Sequence, residues 1–235
     1  MVNDYDVMFL VGLTGSIASA SGKSTVTNFL KNELGCSCVV DADVIARQVV
    51  HPGKPAYYKI RKEFGEEVLL SDGSLDREKL GQIVFNDDDK RKKLNLIVHP
   101  EIKKQMLWEI FLLFIKGYQF VILDIPLLFE TKTMLPYISY SLVVFCHEDQ
   151  QLQRLMKRNN MTEAEARARI NTQLPMVEKC KLATYTIDNT KSILETKEQV
   201  RQIYEKLCAS KRHYFVRFFI LSGFISLISA FYILF

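Results

Sequence analysis

The sequence has no C-x-x-C pair, and its four histidines fall at no metal-ligand spacing. Five cysteines, at positions 36, 38, 146, 180 and 208, are odd in number and scattered. That pattern excludes a disulfide framework or metal cage and fits reduced, partly buried intracellular thiols. Asp4 and Asp6 lead directly into the first apolar run, so no secretory signal is expected. No segment interleaves Lys and Arg with aromatics, so nothing indicates a nucleic-acid partner. Internal repeats and low-complexity linkers are also missing. The 235 residues suit one sizeable α/β domain, or a domain with a small insert.

An excess of one charge is missing from most of the chain. There are 31 basic and 27 acidic side chains, and the surplus is terminal. Lys211, Arg212 and Arg217 follow residue 210 without an acid, leaving 28 basic and 27 acidic groups before them. After those cations come eighteen uncharged residues, FFILSGFISLISAFYILF, Phe218 to Phe235. As a helix they span about 27 Å against a bilayer core of about 30 Å, with a positive flank. The run is apolar on every face rather than striped. The sequence therefore predicts a membrane anchor at 214–235 behind a domain at 1–210. The expected localisation is intracellular, with the domain facing the cytosol and a mitochondrial or endoplasmic reticulum membrane as the candidates.

What is present is an alternation of apolar runs and helical segments. MFLVGLTG (Met8–Gly15), CSCVVD (Cys36–Asp41), QFVILDIP (Gln119–Pro126), SYSLVVFC (Ser139–Cys146) and TYTID (Thr184–Asp188) read as buried strands. With helices between them they predict an α/β fold built on a doubly wound parallel sheet. About 75 mainly helical residues separate the second and third runs, too many for a crossover, and predict a helical insert at about 53–117. LDREKLGQIVF and EIKKQMLWEIFLLFIKG carry 3.6-period apolar faces there, Gly117 ends the second, and Asp87-Asp88-Asp89 signals a turn. TEAE, Thr162 to Glu165, is a capping box opening a later helix.

Between the first strand and the helix KSTVTNFLKNELG lies GSIASASGKST, Gly15 to Thr25. It ends as a phosphate-binding loop does, but the pattern G-x-x-x-x-G-K-[ST] has four residues between its glycines and this loop has six. Ala18-Ser19 followed by Ala20-Ser21 reads as a tandem copy, and removing either pair restores the pattern. Two extra residues cost about 0.4 kcal/mol of loop entropy, so folding should survive. They also add up to about 7 Å of contour, enough to re-aim backbone N–H groups. In a strand–loop–helix context the backbone of Gly15, Ser16, Ser21, Gly22 and Thr25 suits an anion, Lys23 reaches β- and γ-phosphates, and Ser24 suits Mg²⁺.

Ligands of open α/β sheets sit beyond the carboxyl ends of the strands. The second strand ends in Asp41 and Asp43, the third in DIPLLFE from Asp124 to Glu130. Such acids can position Mg²⁺ and accept a hydroxyl proton, although Asp43 also suits a helix cap for VIARQVV. Arg154 and Arg158 share a helix face, with Arg167 and Arg169 on the next helix; they read either as a solvated basic face or as a lid over phosphates.

GLTG…SGKST, DADVIARQVVHPG, LNLIVHPEI, ILDIPLLFE, QLQRLMKRN, ARINTQLP and IDN occur in this order over about residues 8 to 190. In this combination the sequence resembles the dephospho-CoA kinases. The resemblance implies a P-loop kinase fold with a helical substrate-binding insert, a lid at about 149–182, and phosphorylation of the ribose 3′-hydroxyl of dephospho-CoA by ATP with Mg²⁺. It implies Lys23 and Ser24 at the ATP phosphates and the metal, Asp43 as base, and Arg47 near the acceptor. His99-Pro100 falls in the acceptor-binding insert, Arg154 in the lid, and Asp188-Asn189 at adenine. Asp41, Asp124 and Glu130 complete the expected substrate site. The long phosphate loop supports a second reading, a membrane-anchored nucleotide- or CoA-binding protein of the same fold with impaired or no catalysis. The oligomeric state is not legible.

Overall fold

The structure, a computed structural model, describes residues 8–16, 20–85 and 87–210. The predicted anchor at 214–235 and the Ala18-Ser19 half of the tandem copy lie outside these residues. Among the described residues, no helix is long and apolar enough to cross a membrane.

In chain order the elements are β1 (Phe9–Thr14), α1 (Lys23–Asn32), β2 (Val39–Asp41), α2 (Ala42–Gln48), α3 (Pro55–Phe64), α4 (Arg77–Phe85) and α5 (Asp88–Ile115). There follow β3 (Phe120–Asp124), α6 (Leu128–Thr131), β4 (Ile138–Phe145), α7 (Glu148–Asn159), α8 (Glu163–Asn171), α9 (Met176–Leu182), β5 (Tyr185–Asp188) and α10 (Ile193–Ala209). The five strands form one sheet in the order β2-β3-β1-β4-β5. β1 runs parallel to both β3 and β4, and β4 parallel to β5. All five residues of β3 are buried, as expected of a parallel strand covered on both faces.

The chain divides into two compact units, Met1–Val39 with Leu113–Phe235, and Val40–Leu112. The first has its core on the sheet, where Phe9, Val11, Leu13, Ile122, Leu142 and Val144 pack with Val26, Phe29 and Leu30 of α1 and with Val200 and Ile203 of α10. Phe9 stacks on Phe120 at 5.4 Å between ring centroids. The helices obey their periodicity: Val26, Phe29 and Leu30 are the buried apolar residues of α1. The second unit has its own cluster of Tyr57, Ile60, Phe64, Val68, Leu75 and Leu80, joined by Leu94, Ile97 and Val98 of α5.

Two expected elements come out differently. The second strand is only Val39–Asp41, because the Cys36 amide hydrogen-bonds back to the Leu30 carbonyl at 2.8 Å instead of entering the sheet. The turn expected at Asp87-Asp88-Asp89 is the start of α5, where the Asp87 carboxylate accepts from the Asp89 and Lys90 amides. That helix runs for 28 residues through Pro100. A proline inside a helix costs about 3 kcal/mol, and burial of Leu94, Ile97 and Val98 just before it offsets that cost.

Candidate active site

Strand register assembles the site in the first unit. Leu13 of β1 lies opposite Asp124 of β3, and Phe145 of β4 opposite Asp188 of β5. The carboxyl ends of β1, β3, β4 and β5 therefore deliver Gly15, Asp124, Cys146 and Asn189 to one edge of the sheet. The central position of β1, between β3 and β4, marks the point where the strand order reverses, and ligands of such folds bind there.

The phosphate-binding loop closes on itself at this edge. The Ser21 hydroxyl accepts from the Ser16 amide at 3.0 Å, and a Cβ on Gly15 would come within 2.3 Å of that same oxygen. The second Ala-Ser pair is built into the domain: Ala20 packs with Leu152, Leu155 and Ala166, and Ser21 is fully buried. Gly22 starts α1 in the left-handed region at φ 89°, with its missing Cβ facing the Asn189 amide nitrogen at 2.0 Å. Only glycine satisfies both the φ and the approach. Asn189 in turn donates to the Ser21 carbonyl at 2.8 Å and accepts from the Thr196 hydroxyl at 3.0 Å.

Asp41, Thr162 and Ser192 cap α2, α8 and α10 with their side chains. The start of α1 has no side-chain cap and no acid in its first turn. The Thr25 amide, expected at the anion, is instead taken by the Gly22 carbonyl at 3.0 Å, so the earlier N–H groups of the turn and the positive end of its dipole are left for an external anion. Ser24 is exposed there and Thr25 half-buried.

Lys23 is buried and ion-paired with Asp124, which also accepts from the Thr27 hydroxyl at 2.8 Å. Thr27 was legible in principle, since Lys23, Thr27 and Leu30 lie one turn apart on the inward face of α1. Arg154 donates to the Ala20 carbonyl at 3.3 Å and the Asn189 carbonyl at 3.4 Å. It has no carboxylate partner among the described residues, so its charge stays beside the loop uncompensated. Asp188 accepts from the Thr190 amide at 2.9 Å, and hydrogen bonds from the Thr190 side chain and backbone hold its carboxyl below the usual range. Burial pushes the neighbouring Cys146 thiol up to about 11.

A cavity of about 440 Å³ borders Ser16 and is lined by Cys146, His147, Gln151, Gln173 and Met176 among others. Gln151, buried on the apolar face of α7, accepts from the Ser16 hydroxyl at 2.6 Å. Glu130, just past β3, meets Lys179 at 2.7 Å. Neither Lys179 nor Gln151 carries a signal that separates it from the exposed lysines and glutamines around it.

Asp41, Asp43, Arg47 and His99 fall in the second unit. Asp41 caps α2 by accepting from the Asp43 and Val44 amides at 2.9 and 3.1 Å. The Asp43 carboxylate, two residues later, is thereby free of the capping role and is exposed. Arg47 ends the same helix, exposed, its carbonyl taken by Arg77 at 3.1 Å. His99 is exposed on α5. The lid arginines separate: Arg167 is neutralised by Glu163 at 2.8 Å and is exposed.

A model of the dephospho-CoA kinase family matches residues 9–195. The chain is 52% identical over 200 residues to a dephospho-CoA kinase domain-containing protein of Danio rerio, covering 85% of this chain and 86% of that one. It is 50% identical over 197 residues to the dephospho-CoA kinase of Bacillus anthracis, covering 84% and 96%. Among solved structures, the Thermus thermophilus protein TT1252 superposes with a TM-score of 0.73 at 31% identity, over 87% of this chain and all of that one. The dephospho-CoA kinase of Campylobacter jejuni gives 0.64 at 28%, over 84% and 96%. A family match from Phe9 to Glu195, a range that includes the uncapped start of α1 and its buried lysine, places this chain in the dephospho-CoA kinase family.

Proposed function

We propose that this protein transfers the γ-phosphoryl group of ATP to the ribose 3′-hydroxyl of dephospho-CoA, giving coenzyme A. The observation that carries the reading is the uncapped, acid-free start of α1 beside buried Lys23, in a chain of this family. The N–H groups of that helix start and the Lys23 ammonium hold the β- and γ-phosphates and stabilise charge developing on the transferred group. Arg154 adds a second cation at the loop, bonded to the Ala20 carbonyl. Asp43 accepts the proton of the attacking hydroxyl, with Arg47 and His99 serving the acceptor. Asp188 and Asn189 serve the adenine, with Asn189 also donating to the Ser21 carbonyl beside Gly22.

The Ser24 hydroxyl, exposed at the first turn of α1, would be the protein's ligand to a magnesium ion bound with ATP. A magnesium ion there would supply charge neutralisation for the transferred phosphate. In the second unit a cavity of about 540 Å³, lined by Lys54, Glu101, Lys104, Trp108 and Phe111 among others, offers cations and apolar surface suited to part of a CoA-type acceptor. The tail at 214–235 we assign to a membrane on its eighteen uncharged residues behind a basic flank. Resistance to alkaline carbonate extraction is the expected behaviour of the full chain, and release at alkaline pH would remove that assignment.

The activity is tested by incubating the purified full chain with Mg·ATP and dephospho-CoA and following coenzyme A and ADP. Stoichiometric formation of both is expected. ATP binding without turnover would instead favour the catalytically impaired reading raised by the long loop. Deletion of one Ala-Ser pair then separates the causes, since removing either copy yields the same chain. Activity gained on deletion assigns the lesion to loop length.

A further inference from the structure

We propose that Lys179 is a positioning residue for the phosphate-binding loop, setting the orientation of its first peptide group and thereby the affinity for ATP. Its side chain is fully buried on α9, a helix that otherwise shows solvent polar residues such as Lys181 and Glu178. The Lys179 ammonium donates to the Gly15 carbonyl at 2.9 Å, to Gln173 Oε1 at 3.3 Å and to Glu130 at 2.7 Å. All three donor positions of the ammonium are thus engaged.

The Gly15 carbonyl and the Ser16 N–H belong to one planar peptide unit. Lys179 holds the carbonyl edge of that plane and Ser21 Oγ holds the N–H edge at 3.0 Å. Gly15 has no side chain to restrict its backbone, and its loop is two residues longer than the usual pattern. A clamp on both edges of the first peptide limits how far the added length can re-aim the later N–H groups of the loop. The same ammonium ties three separate segments together: the loop after β1, Glu130 after β3, and Gln173 between α8 and α9.

Its surroundings are not those of a purely structural ion pair. Glu130 Oε2 and Gln173 Nε2 are both sealed from solvent without a partner among the described residues. A buried charge pair retained for packing alone is expected to have its remaining polar atoms satisfied. Gln173 and Ser16 also line the same cavity, so the network borders open space at the loop rather than the core.

The inference rests on the kinase reading, which the wild-type rate tests separately. The experiment compares wild type, Glu130→Gln, Lys179→Arg and the double variant Lys179→Met/Glu130→Gln in the full chain. The double variant leaves no buried carboxylate without a cation, so its folding is decoupled from its function. Expected is at least a tenfold rise in the KM for ATP, and in the Kd of a non-hydrolysable ATP analogue, relative to Glu130→Gln. The KM for dephospho-CoA should stay within twofold of that reference and the Tm within about 3 °C. Lys179→Arg, which keeps a cationic donor, should retain ATP affinity within fivefold. An ATP affinity in the double variant within twofold of Glu130→Gln overturns the proposal. So does equal loss for both substrates, or failure of the double variant to fold, because either result makes Lys179 a support of the fold and not of the loop.

Discussion

Lys23 at the start of α1 and Asp124 at the end of β3 form an ion pair withdrawn from water on both sides, their side chains 6% and 2% exposed. The lysine expected to meet phosphate is thus held by a carboxylate, with Thr27 as a second donor to that carboxylate. An ammonium has three donor positions, so phosphate and Asp124 would share Lys23.

Breaking such a pair from one side leaves an uncompensated buried charge, at a cost of about 3–5 kcal/mol. Lys23→Met should lose that much in urea unfolding, and Lys23→Met/Asp124→Asn should regain most of it. Neither variant should turn over ATP at a measurable rate. A Lys23→Met protein as stable as wild type would mean that the pair contributes nothing to the fold.

Asp41 and Asp43 are two residues apart and have different tasks. Asp41→Ala removes the α2 cap and should cost about 1 kcal/mol of stability. Asp43→Asn should leave stability nearly unchanged and lower kcat by about 10²-fold or more, as expected for loss of a general base. The KM for ATP should change little. A near-normal kcat in Asp43→Asn would take the base role from this residue.

Gly22→Ala meets two obstacles at once, a φ of 89° and a Cβ placed 2.0 Å from the Asn189 nitrogen. The left-handed conformation alone costs about 1–2 kcal/mol for a residue with a side chain. The variant should melt lower and bind ATP more weakly. Adding Asn189→Ala removes the clash together with the Asn189 hydrogen bonds to Ser21 and Thr196, so Tm should recover at most in small part and ATP affinity should not recover. Full recovery of both would place the whole defect in the side-chain clash.

Acid should act through Asp188. Hydrogen bonds from the Thr190 side chain and backbone lower its carboxyl in the folded protein. A lowered folded value means the carboxylate stabilises the fold above the unfolded value of about 3.9 and that this contribution is lost as pH falls through the folded value. Asp188→Asn should therefore have a lower Tm than wild type at pH 7, and the gap should close by about pH 2. A gap that is constant between these pH values would exclude ionisation of Asp188 as its cause.

Much of this was decided by the sequence acting locally. The β1–loop–α1 order follows from an apolar run, a glycine-rich loop and 3.6-residue spacing, and each of these acts within a few residues. The Thr162–Glu165 capping box forms as its four residues dictate, Thr162 and Glu165 each bonding the other's amide. The stop at Gly117 is equally local, with φ at 90°.

Only the tertiary structure decided what holds the phosphate-binding loop. Its braces are Arg154, Lys179 and Asn189, separated in sequence from the atoms they hold by 134, 164 and 168 positions. No local pattern distinguishes Lys179 from exposed Lys181 two residues on; burial against Glu130 and the Gly15 carbonyl does. The choice of Asp41 over Asp43 as the cap depended on which residue left β2 with extended backbone, since a capping side chain must come from a residue still outside the helix. The passage of α5 through Pro100 depended on apolar partners distant in sequence, whose burial outweighs one missing hydrogen bond. Local chemistry specifies which segments form and roughly where they end, whereas the aim of a loop is set by the groups that the assembled sheet brings to its edge.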